Sequence, residues 1–391
     1  MEIELNIPFG PQHPAFKEPI NFRLSVVGER IVAVEPRLGY NHRGIEKAAE
    51  ARTYLQNLEL VERICGICAF CHSLAFSQGV EQLFGVEAPP LARYIRTIMA
   101  ELERIHSHYL WAGFLMYILG FETIFMHIWR DREIILRLYE SISGGRVHHS
   151  LNTLGGVRRG LKTSTIKQIL KSMTEVRKRT EHYKWLFSSE PSIVKRTRGI
   201  GVLPTDDALK LFAVGPVLRA SELGRDIRKD SPYAAYEEVD FIVTTRKGCD
   251  VEARLQVRLD EVLESIGIIE QCIEKLPTGE LKVKTPRRPV EVEVFNRVEA
   301  PRGELFHYIK SNGNDRPYRF KVKTPTLANF STLPRMLSDA HMADVSVIIS
   351  SIDPCIACCE RLQFIDIEGD AVWVWNEEEL RSYSLRWYGN R

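Results

Sequence analysis

The sequence predicts an α+β protein in which a central helical bundle is flanked by small antiparallel β-sheets. Three observations predict this class. Apolar and polar residues alternate near the N-terminus and again between residues 279 and 325, whereas apolar residues recur every three to four positions in most of the region between. No internal repeat, low-complexity tract or long Gly/Ser linker divides the 391 residues, so we expect a single domain, 1–391.

The predicted domain has five regions. In chain order they are an N-terminal β region (1–45), a helical bundle (46–278), a second β region (279–330), a helix followed by a cysteine motif (331–361) and a C-terminal tail (362–391).

The first two regions differ in the period of their apolar residues. Phe22, Leu24 and Val26 alternate with polar residues before Gly28, which indicates a hairpin or small sheet. From about residue 44 to 178, and again from 250 to 275, apolar residues have helical spacing with charges between them.

The later regions return to shorter elements. Val290, Val292 and Val294 alternate before Tyr318 and Phe320, with Pro and Gly between them, which predicts a second sheet. Residues 331–350 have a helical pattern. The tail from Leu362 predicts a short hairpin followed by a final helix.

The longest apolar stretch, Tyr109 to Ile128, approaches the length of a bilayer. Glu122 and His127 interrupt it, and an unpaired Glu in hydrocarbon costs several kcal/mol. We therefore expect a buried core helix here and no transmembrane segment in the chain.

Charge and the N-terminus exclude several classes of protein. With 53 basic and 51 acidic residues, the net charge of +2 does not favour nucleic acid or anionic lipid as the main partner. The first ten residues lack the basic and apolar segments of a secretory signal, so we expect the chain to stay in the cytoplasm without disulfides.

Six of the eight cysteines fall in two clusters near opposite ends of the chain. The clusters contain Cys65, Cys68 and Cys71, and Cys355, Cys358 and Cys359. Two Cys-x-x-Cys pairs in a reducing compartment are typical of a site with four thiolate ligands. Spacing alone suits structural zinc, an iron–sulfur cluster and a nickel–iron centre equally.

The residues beside the cysteines favour a reactive metal. Arg63, His72 and Asp353 have no use at a structural zinc site, whereas a reactive metal needs hydrogen-bonding and acid–base groups around its ligands.

Both motifs resemble the paired signatures of nickel–iron hydrogenase large subunits. The first is Arg-x-Cys-Gly-x-Cys-x-x-x-His at residues 63–72, and the second is Asp-Pro-Cys-x-x-Cys-x-x-Arg at residues 353–361. Other stretches are similar to the quinone-site subunit of respiratory complex I, the 49 kDa subunit, and to the energy-converting membrane-bound hydrogenases related to it. They are residues 9–14, 101–105, 155–159, 215–219, 226–229, 299–304 and 316–318. The resemblance implies the fold shared by these subunits.

The resemblance also implies roles for single residues. Cys65 and Cys355 would be terminal nickel ligands, and Cys68 and Cys358 would bridge nickel to an iron carrying carbonyl and cyanide. His72 would hydrogen-bond a bridging sulfur. By the same resemblance Arg302 would stand over the metal pair, Asp353 would hold that arginine, and Glu18 would relay protons.

Three features depart from the family patterns. Lys17 occupies the place of a second histidine in the complex I relatives, which weakens a role in quinone reduction. Cys71 and Cys359 are additional thiols. Thirty residues follow Arg361, where many hydrogenase large subunits lose their C-terminal extension once nickel is inserted.

The leading hypothesis is a ferredoxin-linked oxidoreductase that interconverts H₂ with protons and electrons. Its partners would be a small iron–sulfur subunit carrying a 4Fe–4S cluster, other peripheral subunits and membrane-embedded ion-translocating subunits, on the cytoplasmic side of the cell membrane. One alternative keeps the scaffold without nickel and iron and reduces sulfane sulfur, or acts as a complex I-like quinone-site subunit. Another is a non-catalytic structural subunit.

Overall fold

The structure of the protein, a computed structural model, describes residues 4–359 and 377–389. Its strands are β1 (Glu4–Phe9), β2 (Asn21–Val27), β3 (Arg30–Arg37), β4 (Asn152–Thr153), β5 (Gly156–Val157), β6 (Glu293–Ala300), β7 (Gly303–Lys310) and β8 (Arg319–Lys323). Its helices are α1 (Ile45–Glu50), α2 (Tyr54–Glu62), α3 (Ala69–Phe84), α4 (Pro90–Ile118), α5 (Glu122–Ser143), α6 (Thr163–Ser189), α7 (Pro191–Thr197), α8 (Thr205–Lys210), α9 (Gly215–Arg219), α10 (Ile227–Asp230), α11 (Val251–Glu274), α12 (Pro325–Asn329), α13 (Leu333–Leu337), α14 (Val345–Ser351) and α15 (Glu377–Gly389).

The N-terminal strands form an antiparallel sheet in the order β1-β2-β3. Phe22, Leu24 and Val26 point to its buried face, as the alternation predicts, and pack with apolar residues of α13 and α14. The loop between β1 and β2 lies beside the segment after α14, where Glu18 accepts the N–H of Ala357.

Helices α4, α5, α6 and α11 form the central bundle, in which α4 packs against α5 and α11, and α6 against both of those. The predicted class, a helical bundle flanked by small antiparallel sheets, is confirmed. The bundle region also contains the two-residue strands β4 and β5, which the helical pattern did not predict.

The apolar stretch from Tyr109 to Ile128 is two helices, so the expectation of one buried helix was wrong. Helix α4 ends at Ile118, and Gly120, with φ of 91°, turns the chain into α5. The first turns of α5 are partly exposed, with Met126 62% accessible. Within the described ranges, no helix has both the length and the apolar character needed to cross a bilayer.

The second sheet has the order β6-β7-β8 and is antiparallel throughout. One face of it covers α3, where Phe76 meets Phe320 edge to face at 5.5 Å. Val290 and Val292 precede the sheet, and only Val294 of that alternating run is in a strand. The tight turn between β6 and β7 carries Arg302.

The region after β8 is helical, but in pieces. Pro325 and Pro334 each stand in the first turn of a short helix, α12 and α13, where the missing N–H costs nothing. Asp339, with φ of 63°, lies between α13 and α14. The final helix predicted for the tail is α15. The predicted hairpin from Leu362 and the motif residue Arg361 lie outside the described residues.

Two glycines allow a close approach of α9 to the turn after β6. Gly215 has φ of 63°, and a Cβ there would lie 2.3 Å from the carbonyl oxygen of Arg302 and 2.4 Å from Gly303 Cα. Any side chain at Gly215 would therefore push on the backbone that presents Arg302.

We predict that Gly215→Ala lowers the free energy of unfolding much more than Gly28→Ala. Both glycines have φ near +60°, but the space around Gly28 is open. Left-handed strain alone should cost Gly28→Ala about 1 kcal/mol, and displacement of backbone should cost Gly215→Ala roughly 2 kcal/mol more. Urea unfolding followed by circular dichroism measures both, and equal losses would contradict the close approach.

Candidate metal centre

The first Cys-x-x-Cys pair lies in the connection between α2 and α3. Cys65 follows the end of α2, and Cys68 occupies the N-cap position of α3 without a side-chain capping bond. The backbone N–H groups of Ile67 and Cys68 donate to Cys65 Sγ at 3.4 and 3.3 Å. These bonds fix the Cys65 sulfur on the inner side of the loop.

The second pair follows α14. Asp353 takes a left-handed conformation, with φ of 55°, and turns the chain so that Cys355 and Cys358 enter the interior. The backbone N–H of Cys355 donates to Thr326 Oγ1 at 3.2 Å, and Cys358 Sγ donates to the Cys355 carbonyl at 3.0 Å.

The fold brings the two pairs together across 290 residues of sequence. Cys65 Sγ and Cys355 Sγ are 3.1 Å apart, and all four cysteines are at most 6% exposed. Hydrogen bonds from Cys355, Cys358 and Cys68 lower the pKa of Cys65 well below its ordinary value. The four sulfurs are therefore neighbours, as the two motifs predict.

The chemistry of the four sulfur atoms, rather than the distances between them, indicates a metal site here. No group of three or more His, Cys, Asp or Glu side chains in the described parts of the chain has the spacing of a metal site. The Cys65–Cys355 distance is also shorter than the about 3.8 Å between two thiolates of a tetrahedral site. Four converging, buried thiols nevertheless fit a soft transition metal, because such metals prefer thiolate ligands.

Arg43 joins the two cysteine segments, and no feature of the sequence pointed to it. Its guanidinium donates to the carbonyls of Arg63 and Ile64 at 2.8 and 3.0 Å and to that of Ala357 at 3.2 Å. One side chain thus connects the backbones of the two cysteine segments.

Arg302 and Asp353 form a buried ion pair beside the sulfurs. Arg302 Nη2 lies 2.9 Å from the Asp353 carboxylate, and its Nε donates to the Asp353 carbonyl at 2.8 Å. Arg302 also donates to Ser107 Oγ of α4 at 3.2 Å. Burial alone would lower the pKa of Arg302, but Asp353, Cys355 and Cys65 raise it well above its usual value, so it stays a cation.

Lys17 is a second cation on Asp353. Its Nζ lies 3.4 Å from Asp353 Oδ1 and 4.7 Å from the centre of the Phe114 ring. Burial lowers the pKa of Lys17, although Asp353 opposes the shift. Lys17, which stands in the place of a second histidine in the complex I relatives, therefore contacts the same carboxylate as Arg302.

Glu18 lies against the second cysteine segment. Its Oε2 accepts the backbone N–H of Ala357 at 2.8 Å. Burial raises the pKa of this carboxyl, and negative charge on Cys65 adds to the shift. A half-buried carboxyl with a raised pKa binds a proton more readily than an exposed one, as a proton relay requires.

His72 is buried in the first turn of α3, facing the second sheet. Its Nδ1 is 3.3 Å from Nε2 of His307 on β7. Its own Nε2 has no hydrogen-bond partner among the described residues, so the bond to sulfur that the resemblance implies is not formed in this arrangement. Burial lowers the pKa of His72 to about 4, which keeps the ring neutral.

The extra thiols have different surroundings. Cys71 is fully buried, and its backbone N–H donates to Glu103 Oε2 at 2.9 Å. Cys359 Sγ donates to the Ile356 carbonyl at 3.2 Å within the core beneath the N-terminal sheet. Both pack as small interior residues, and Glu103 is a buried carboxylate next to the centre that sequence reasoning missed.

One signal in the sequence pointed to Glu103. It stands between Leu102 and Ile105 on a helix whose apolar spacing predicts burial, and an acidic residue in such a position needs a partner.

Family models match most of the chain. The model described as respiratory-chain NADH dehydrogenase, 49 Kd subunit, matches residues 119–291 and 282–361. The model described as nickel-dependent hydrogenase matches residues 43–174, which include the first cysteine pair.

Individual relatives cover nearly the whole chain. A carbon monoxide-induced hydrogenase of Rhodospirillum rubrum is 40% identical over 91% of this chain and 99% of its own length. The membrane-bound hydrogenase subunit alpha of Pyrococcus furiosus is 36% identical, covering 98% and 93%. A subunit of an NADH-quinone oxidoreductase of Rhizobium etli (strain CIAT 652) is 38% identical, covering 91% and 95%.

A solved structure shares the fold. It is a chain of the membrane-bound sulfane sulfur reductase, described as an archaeal respiratory membrane complex. With a TM-score of 0.88 and 32% identity, the match covers 92% of this chain and 98% of that one. The chain belongs to the oxidoreductase family that comprises the large subunits of membrane-bound nickel-dependent hydrogenases and the 49 kDa-type subunits of respiratory NADH dehydrogenases.

Proposed function

We propose that this chain is the catalytic subunit of a membrane-bound, energy-converting hydrogenase complex, in which Cys65, Cys68, Cys355 and Cys358 hold a nickel–iron pair. The observation that carries the proposal is the buried meeting of both cysteine pairs beside the Arg302–Asp353 ion pair. A nickel–iron pair, when bound, supplies heterolytic cleavage and formation of H₂, with carbonyl and cyanide on the iron.

The residues of the chain would hold charge and move protons around this centre. Arg302 keeps a fixed positive charge beside the thiolates, because Asp353 and Ser107 hold its guanidinium. Glu18 takes up the proton that leaves the centre, since its carboxyl has a raised pKa and lies against the Cys358 segment. His72 keeps a neutral imidazole near the first pair.

Electrons and ions would be handled by other subunits. The relatives named as membrane-bound hydrogenase subunit alpha and formate hydrogenlyase subunit 5 are parts of assemblies. We infer an iron–sulfur partner with a 4Fe–4S cluster, further peripheral subunits and membrane-embedded ion-translocating subunits, with ferredoxin as the indirect electron partner. The chain would then be a peripheral subunit on the cytoplasmic side of the cell membrane.

One observation favours a second function. The solved structure that shares the fold is a sulfane sulfur reductase, and its resemblance extends over 92% of this chain. In that case the same buried thiols would serve polysulfide reduction without a nickel–iron centre.

Metal analysis of the purified complex separates the two functions. We expect about one nickel per chain, together with infrared bands of iron-bound carbonyl and cyanide. If an active complex shows neither nickel nor these bands, hydrogenase function is wrong and polysulfide reduction becomes the assignment to measure.

We predict that Cys358→Ser abolishes H₂ turnover and the retention of nickel, because a hydroxyl is a poor ligand for a soft metal. The control is Cys249→Ser, which alters a partly exposed thiol that bonds only weakly, at 3.5 Å, to the Lys247 carbonyl. Elemental analysis and H₂ uptake are measured on both. A Cys358→Ser complex that keeps nickel and activity would refute the assignment of Cys358 as a ligand.

We predict that Glu18→Gln slows the exchange of protons with H₂ by roughly 100-fold, the usual size of a general acid–base contribution, and leaves nickel bound. Isotope exchange between D₂ and water measures the rate, and elemental analysis measures the metal. Glu35→Gln, an exposed carboxylate on β3, is the control. Loss of nickel in Glu18→Gln would make Glu18 a structural residue instead.

A further inference from the structure

A histidine stands among the apolar residues on the inner face of β7. Residues of this strand alternate between buried and partly buried, and Leu305 and Ile309, the inward residues on either side of His307, are fully buried and apolar. His307 is fully buried as well. A polar side chain in such a position destabilises the fold unless it has a partner, and it often has a function.

The partner of His307 is His72. Nε2 of His307 lies 3.3 Å from Nδ1 of His72, and the two rings are 5.5 Å apart, centre to centre. Within the described ranges, neither ring is bonded to a carboxylate. Burial lowers the pKa of His72 to about 4 and that of His307 well below its ordinary value. Both rings are therefore neutral, and one of them donates to the other.

The direction of this bond decides where the second N–H lies. Nε2 of His72 and Nδ1 of His307 have no hydrogen-bond partner among the described residues. A neutral imidazole has one N–H and one bare nitrogen. If His72 donates, its Nε2 is bare and the unpartnered N–H is on Nδ1 of His307. If His307 donates, the unpartnered N–H is on Nε2 of His72.

The surroundings of the two rings favour donation by His307. The backbone N–H of His72 donates to the Cys68 carbonyl at 3.2 Å, so the two residues lie one turn apart on the same face of α3. Burial lowers the pKa of His72, and negative charge on Cys65 opposes that shift, so the ring lies within the field of the sulfurs. His307 instead packs edge to face on Phe320, at 5.3 Å. An N–H is stabilised near negative charge, whereas a bare nitrogen is repelled by it.

We propose that His307 is a positioning residue for the cysteine centre. Its Nε2–H donates to Nδ1 of His72, and this bond holds the single N–H of the His72 ring on Nε2. That N–H is the donor to a thiolate sulfur when the centre is loaded with metal. The direction of the bond depends on the two rings alone, and only the identity of the acceptor rests on the proposed function.

Raman spectroscopy of the purified complex tests the direction of the bond without turnover. The C4–C5 stretching band of a neutral imidazole differs between its two tautomers. Both rings carry hydrogen on Nε2 in the proposed arrangement, and both carry it on Nδ1 in the reverse one. The difference spectra against His72→Gln and His307→Gln isolate the two bands. We expect the Nε2–H position for both, and a band of either ring at the Nδ1–H position overturns the proposal.

Two variants of similar shape test whether His307 selects the tautomer. Gln at position 307 keeps an N–H donor, whereas Met has none. We expect His72 to show the Nε2–H band alone in His307→Gln and both tautomer bands in His307→Met. A single Nε2–H band in His307→Met overturns the role of His307. These Raman results do not depend on metal content, so the inference and the proposed function fail separately.

Infrared bands of iron-bound carbonyl test the donation to sulfur. A hydrogen bond to a sulfur ligand withdraws electron density from the iron, so its loss moves the carbonyl band to lower wavenumber. We expect this shift in His307→Met and not in His307→Gln. Ile309→Met is the matched control, since it alters the next inward residue of β7 and leaves both rings in place. An unmoved band in His307→Met, or an equal shift in Ile309→Met, overturns the donation. Absence of the band from an active complex overturns the hydrogenase assignment instead.

Discussion

The ion pair between Arg302 and Asp353 is the contact on which the arrangement of the centre depends. It joins the turn after β6 to Asp353, which lies just before the second cysteine pair. Ser107 of α4 accepts a hydrogen bond from Arg302, and Lys17 of the loop after β1 lies beside Asp353. Four separate parts of the chain thus meet at one buried ion pair. Removing one partner of such a pair costs about 3–5 kcal/mol, because the other charge stays buried.

A larger network of buried charged and polar side chains lies next to the turn that carries Arg302. Its members are Glu101, Arg104, His108, Arg219, Asp226, Arg228, Glu261 and Glu299. Arg104 donates to the carbonyls of Glu299 and Ala300, at the end of β6 just before Arg302. The network therefore sets the position of the turn, and the bundle interior near the centre is polar. Geometry of this kind favours a fixed electrostatic field over a flexible site.

Sequence reasoning predicted the fold class and the meeting of the cysteine pairs, since both depend on local periodicity and on ligand chemistry. It missed contacts that only the folded chain creates. Arg43 binds backbone carbonyls, and because every residue has a carbonyl, the sequence around it gives no sign of this contact. His307 becomes a neighbour of His72 only through the packing of β7 on α3. The apolar run from Tyr109 to Ile128 was expected to be one helix because composition does not show the left-handed turn at Gly120. The helical pattern of residues 331–350 did not show that one helix ends at Leu337 and another begins at Val345.

The distance of 290 residues between Cys65 and Cys355 has a consequence for biosynthesis. A ribosome delivers the first pair long before the second, and the intervening bundle and sheet can fold in that interval. During synthesis the first pair is therefore an open half-site with two thiols, and the backbone hydrogen bonds to the Cys65 sulfur come from its own loop. Cells that make this protein must keep those thiols reduced, and away from stray metal ions, until the last tenth of the chain emerges.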